Sequence, residues 1–156
     1  MSDTPQFTHG FMLNDVARLL RKRFEQNARG LGLTRAQWQV LSVIGRNEGF
    51  QQRALADILE VEPITLGRIL DRLESADLIE RRRHVTDRRV WQLYLKPKAL
   101  PLIEQMREIG NLTRIEAFAG VSETDLDTLL RILTETKTNL IAACNAPPAT
   151  KKVTHG

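Results

Sequence analysis

Between residues 81 and 98 the chain places seven lysines and arginines against one acid, Asp87, a local charge of +6. The whole chain carries only +4, so everything outside that stretch sums to −2. Guanidinium and ammonium groups crowded in this way repel one another unless an anion meets them, and phosphate backbone is the usual partner. Just upstream, a second pattern points the same way. At 100° per residue, Leu66, Ile69, Leu70 and Leu73 gather on one side of a helix, and Thr65, Arg68 and Arg72 gather on another, with Ile64 at the edge. A helix seated by its leucine face, offering a hydroxyl and guanidiniums near its N-terminus, suits a DNA major groove. Alone, that helix reads equally as an amphipathic element with a solvated outer face. The basic stretch behind it favours DNA.

Other chemistries find little support. The histidines at 9, 84 and 155 have no metal-ligand spacing. No Ser–His–acid or Cys–His arrangement and no glycine-rich phosphate loop is present, so neither an enzyme nor a cofactor is expected. His84 could touch phosphate or be a solvated turn histidine. Cys144 is the only cysteine, which rules out an intrachain disulfide framework and fits a reducing cytosol. A redox trigger needs a depressed pKa and a partner, and nothing cationic adjoins it, so a buried interfacial thiol is expected instead.

These residues need elements to hold them. Residues 52–59 predict a short helix with Leu55, Ile58 and Leu59 on one face. Glu62-Pro63 opens a second helix reaching about Ala76, proline being well placed where a helix start leaves its N–H unpaired anyway. Leu78-Ile79-Glu80 leads into Arg81-Arg82-Arg83-His84, the turn Val85-Thr86-Asp87-Arg88-Arg89, and Val90-Trp91-Gln92-Leu93-Tyr94-Leu95. That last run alternates with period two, so the whole predicts a β-hairpin with a cationic tip.

Before this unit, residues 1–10 read as a loose arm and residues 11–29 as a helix with Val16, Leu19, Leu20 and Phe24 near one side. Gly30-Leu31-Gly32 ends it. Thr34 is an N-cap for a helix over residues 35–46 carrying Trp38, Leu41 and Ile44, and residues 45–49 loosen the chain. After the hairpin, Pro97 and Pro101 flank the start of a long helix reaching Phe118. Gly120 closes it, and Ser122 caps a last helix running to about Ala143. Residues 145–156 read as a disordered tail.

A chain of 156 residues, 42% hydrophobic and 27% charged, suits one globular domain with a real core. No apolar run approaches a membrane span, and no signal pattern opens the chain. A pI of 9.6 favours an acidic partner without saying which. The first helix and the last two are more apolar than a small DNA-binding unit needs, which suggests pairing with a second copy. Covering the monomer is the simpler alternative.

Helix, turn, helix and hairpin in this order, with Asp87-Arg88-Arg89 in the turn and Leu95-Lys96-Pro97-Lys98-Ala99 leaving it, resemble the winged helix of the MarR family. The SlyA-like branch is echoed by Asn14-Asp15-Val16-Ala17-Arg18-Leu19-Leu20-Arg21, Leu33-Thr34 with Trp38, Ser75-Ala76-Asp77-Leu78-Ile79 and Asp87-Arg88-Arg89. The similarity spans roughly residues 11–143. One departure is Pro63-Ile64-Thr65, where SlyA-like proteins usually open the reading helix with Gln-Pro-Ser, so base preference is expected to differ.

The resemblance implies a mainly α fold with a small β-hairpin wing: a winged helix-turn-helix with terminal dimerisation helices. Residues 1–30 would be arm and dimerisation helix, 31–98 the DNA-binding domain, 99–144 the C-terminal dimerisation helices, and 145–156 the tail. The implied function is a bacterial, cytoplasmic transcriptional regulator, homodimeric on a pseudo-palindromic operator. Thr65, Arg68 and Arg72 would enter the major groove beside Ile64. Asp87 would brace the wing, Arg88 and Arg89 would lie at its tip with Arg89 in the minor groove, and Arg53 would approach phosphate. A pocket for an aromatic carboxylate that releases DNA would use Arg18, Trp38 and Ser42, with serine standing where relatives often have histidine. Competing readings are a ligand-independent architectural protein that competes with nucleoid proteins and, less favoured because A-form major grooves exclude a helix, an RNA binder.

Overall fold

The computed structural model describes residues 8–149. Residues 1–7 of the expected arm and 150–156 of the expected tail, His155 among them, lie outside the described residues. Six helices and three strands follow in the order α1 (Thr8–Asn27), α2 (Arg35–Arg46), β1 (Phe50–Gln51), α3 (Gln52–Leu59), α4 (Pro63–Ser75), β2 (Ile79–Arg83), β3 (Trp91–Leu95), α5 (Leu100–Ala117) and α6 (Glu123–Cys144). Single 3-10 turns at Arg29–Leu31 and Pro97–Ala99 lead into α2 and α5. The architecture is the one expected, mainly α with a small β wing, and the chain divides into two compact units between Ala117 and Phe118.

In the first unit, α2 starts where Thr34 accepts a hydrogen bond from the Gln37 N–H at 3.2 Å, while the Gln37 side chain accepts one from the Thr34 N–H at 3.0 Å. Each satisfies an amide that the helix start would leave unpaired. The helices α3 and α4 stop alike. Glu60 and Asp77 adopt left-handed φ of 53° and 62°, and the next residue donates back over the helix end, Val61 to Ala56 at 3.1 Å and Leu78 to Leu73 at 3.0 Å. This closure reverses the chain tightly enough to set α4 against α3 and β2 against α4.

The hairpin pairs Ile79 with Leu95 through Arg83 with Trp91, antiparallel throughout. The sheet is larger than expected, however. Phe50 and Gln51 form a third strand on the far side of β3, opposite Leu93 and Gln92, in order β1-β3-β2. Two residues are too few to show a period, so the approach to α3 read only as loose chain. Gly49 makes the junction: its φ is 81°, its N–H donates to Leu93 at 2.9 Å, and a Cβ there would lie 3.1 Å from the Tyr94 hydroxyl.

The core joins Val40, Leu41 and Ile44 of α2, Leu55 of α3, Leu66, Leu70 and Leu73 of α4, Ile79 and Leu93 of the sheet, and Met106 of α5. Ile58 does not join it and is 57% exposed. Measured around α3, Leu55, Leu59 and the buried Ala56 span one arc, and Ile58 falls outside it. On the other side of α2, the Phe24 and Trp38 rings stand 4.5 Å apart. The helix α1 begins at Thr8 rather than Phe11. It packs on α5 through Arg23, whose guanidinium donates to both Glu116 oxygens at 2.7 Å, and Asn27, which donates to the buried Thr113 at 3.1 Å.

In the second unit, Ser122 caps α6 by accepting from the Asp125 N–H at 3.1 Å. That helix has no buried residue, and Cys144 at its end is exposed in the single chain. Among the described residues no helix is long and apolar enough to cross a membrane.

Candidate nucleic-acid interface

The core holds α4 by Leu66, Leu70 and Leu73, which turns Ile64, Thr65, Arg68 and Arg72 outward into solvent. Neither guanidinium has an acidic partner among the described residues. Arg53, in the first turn of α3, is likewise exposed. The helix starts at Pro63 with Glu62 as its non-helical first residue, so Ile64 and Thr65 lie in the opening turn, the part of a reading helix that meets base edges.

The hairpin's positive charge, for which the sequence points to phosphate as the partner, is met in part by acids of the chain itself. Arg81 is drawn back onto α4, where its guanidinium lies 2.6 Å from Asp71 and 2.9 Å from Glu74, and its backbone N–H donates to Glu74 at 3.1 Å. The hydrogen bond from Arg81 holds the Glu74 carboxyl below its ordinary range. Lys96 pairs with Asp77 at 2.5 Å, and that contact lowers the Asp77 carboxyl and raises the lysine. Arg82 pairs with Glu80 and lies 4.1 Å over the Tyr94 ring. Much of the crowded charge is thus neutralised within the chain. The Arg81 bridge also ties the base of the wing to α4.

At the tip, Arg89 folds onto Asp87. Its backbone N–H donates to the carboxylate at 3.1 Å and its side chain at 3.2 and 3.4 Å, which lowers the Asp87 carboxyl. His84 is not merely solvated, because its Nδ1 accepts the N–H groups of Thr86 and Asp87, both at 3.2 Å. Arg83 lies 4.0 Å over the Trp91 ring and donates to the Arg88 carbonyl. Arg88 and Arg89 therefore project from a turn that is already built. Sequence reading missed Asp71, Glu74, His84, Arg83 and Trp91 as parts of this construction. Only the cross-strand pairing of Arg83 with Trp91 had a legible signal, in the register of the hairpin.

The three residues expected to hold a ligand are more scattered. Trp38 and Ser42 are half-buried and one turn apart on α2. Trp38 is engaged by Phe24, while Arg18 is exposed on α1 and lies 3.4 Å from Asp15. Among the described residues no group of three or more His, Cys, Asp or Glu could hold a metal ion.

Residues 31–90, the span from the approach to α2 through the wing turn, match the MarR family model. The solved transcriptional regulator PA3341 is 32% identical over 86% of this chain and 98% of that one, with a TM-score of 0.77. The fold is shared with the transcriptional regulator SlyA at 23% identity, covering 83% and 91% of the two chains with a TM-score of 0.70. It is shared also with a MarR mutant from E. coli complexed with operator DNA, at 23% identity, 85% and 99% coverage and a TM-score of 0.68. The matched proteins are transcriptional regulators, not enzymes. With a relative this similar along nearly its full length, and its helix-turn-helix and wing matching the family model, the chain belongs to the MarR family of transcriptional regulators.

Proposed function

We propose that the protein binds a pseudo-palindromic operator as a homodimer, with residues 31–98 reading DNA and residues 1–30 and 99–144 forming the dimer. Arg68 carries the base discrimination, Thr65, Ile64 and Arg72 flank it in the major groove, and Arg53 meets phosphate. Asp87 presents Arg89 to the adjacent minor groove with Arg88 beside it. The observation that carries this reading is the outward face of α4, where Arg68 and Arg72 stand exposed and unneutralised although acids on the same helix take up Arg81. Such guanidiniums are available for bidentate contacts with guanine. A protein acting on bacterial DNA works in the cytoplasm. Selecting fragments of the source genome bound by the full-length protein tests the reading. Recovery of a short inverted repeat is the expected result, and recovery without sequence preference would favour the architectural alternative.

We place the chain in the SlyA-like branch on the motifs in α1 and the wing, and infer release by an aromatic carboxylate. Arg18 would clamp the carboxylate through two hydrogen bonds and Trp38 would cover the ring, with Ser42 lining the site. Arg18 would first have to leave Asp15, an exposed pair that costs little to break. Salicylate-like acids should weaken operator binding, and Arg18→Ala should abolish that response. An aromatic acid panel without effect up to millimolar concentration would sink the ligand.

A further inference from the structure

We propose that Ile64 reads the C5-methyl group of a pyrimidine in the major groove, thymine or 5-methylcytosine. The inference rests on the assignment of the outer face of α4 to base reading and names what one position of that face recognises. Ile64 is 73% exposed, although it sits in the first turn of a helix whose other large aliphatic side chains pack inward. It stands one turn before Arg68, so the two side chains share a stripe. The fold makes no use of this side chain. A β-branched residue in a helix keeps essentially one χ1 rotamer, so the branch point of this sec-butyl side chain is held in place and loses little χ1 freedom on contact. The major-groove edges of the bases present donors, acceptors and a single apolar group, the pyrimidine C5 methyl. Ile64 offers no hydrogen bond. Set against a purine edge or the cytosine amino group, it would strip water from a polar group and return nothing, so it selects against those bases as well as for the methyl. Thr65 and Arg68 supply the polar readout beside it.

The test uses the full chain and a duplex selected from a random pool by the wild-type protein. Each thymine is then replaced singly by deoxyuridine, which removes only the methyl group. Wild type should lose about fourfold in affinity at one thymine of each half-site, the worth of one buried methyl. Ile64→Ser should bind thymine and deoxyuridine duplexes equally there, while Ile64→Val should keep the discrimination. Placing cytosine and then 5-methylcytosine at that position separates the sources: recovery on methylation adds the modified base, and no recovery restricts the reading to thymine. If wild type and Ile64→Ser respond alike at every thymine while Arg68→Ala still changes base preference, the methyl reading is overturned and the reading face stands. If Arg68→Ala also leaves preference unchanged, the face itself is wrong and both fall.

Discussion

Arg89 reaches DNA, in the proposed complex, already folded onto Asp87. Its entropy is partly spent before binding, and its charge is partly offset, so its removal tests placement as much as charge. Arg89→Ala should weaken operator binding by ~1–3 kcal/mol and lower the salt slope by about one unit, whatever the sequence bound. Arg68→Ala should instead relax preference at one base position, because a bidentate guanidinium–guanine contact is what discriminates bases. Anisotropy titrations on specific and random duplexes at several salt concentrations separate the two effects; unchanged binding in both variants, with folding intact, would refute the reading face. The difference between Arg89 and Arg81 shows what could be read in advance. Asp87 lies two residues from Arg89 in a turn, where local geometry brings such pairs together. Arg81 meets Asp71 and Glu74 only because α4 ends in a left-handed Asp77 and the strand doubles back along it. Residue types announced a basic hairpin, but the partners that neutralise it depend on that reversal.

The wing is an element whose tip is set by its strands. Arg83 and Trp91 face each other across the hairpin, and the stacked guanidinium holds the Arg88 carbonyl. Trp91→Ala should free the tip and weaken DNA binding, while Trp91→Phe, which keeps an aromatic face, should retain most of it; equal losses in titrations of the two variants would mean that the stack does not position the tip. Between α1 and α5 the fastening is ionic. Hydrogen bonds from Arg23, then Asn27, hold the Glu116 carboxyl down from the usual 4.5 to about 2. A carboxyl depressed on folding contributes stability above its unfolded value, and that contribution is lost as pH falls from about 4.5 through about 2. Melting temperatures of wild type and Glu116→Gln should therefore differ at neutral pH and converge towards pH 2, with a smaller gap in high salt because the network is exposed. A gap independent of pH would show that the carboxylate charge is not what fastens the helices. The helices were legible because each runs for eight or more residues, enough to display a 3.6-residue period. The strand β1 was not, since its two residues are recruited by β3 and by the left-handed Gly49 rather than by any pattern of their own.

At the scale of the whole molecule, the apolar surface outside the winged helix is what remains to be explained. The 20 residues of α1 and the 22 of α6 include none that is buried. Met12 and Leu13 of α1, and Leu130, Leu140 and Ile141 of α6, are each 45–67% exposed. A helix of this length is marginal in water by itself, and most helical stability in proteins comes from packing an amphipathic face. Periodicity revealed these stripes in the sequence, but a stripe does not say whether its own chain or a second copy will cover it. In the proposed dimer a second copy would cover these apolar faces, and a two-fold axis would relate two reading heads, which suits half-sites spaced by one turn of DNA, ~34–36 Å. The intact protein should then sediment as a dimer at micromolar concentration. Removing residues 122–156 should leave a monomer or an aggregating chain that binds DNA weakly, because one head makes half the contacts. Leu130→Glu, at an exposed position that the single chain does not need for folding, should dissociate the dimer without unfolding the winged helix, as circular dichroism would report. Cys144 ends the same helix, so its alkylation should slow as the dimer forms and quicken in Leu130→Glu. A monomeric wild-type protein at these concentrations, with Cys144 reacting at one rate throughout, would leave the apolar stripes without a partner and refute the dimeric reading.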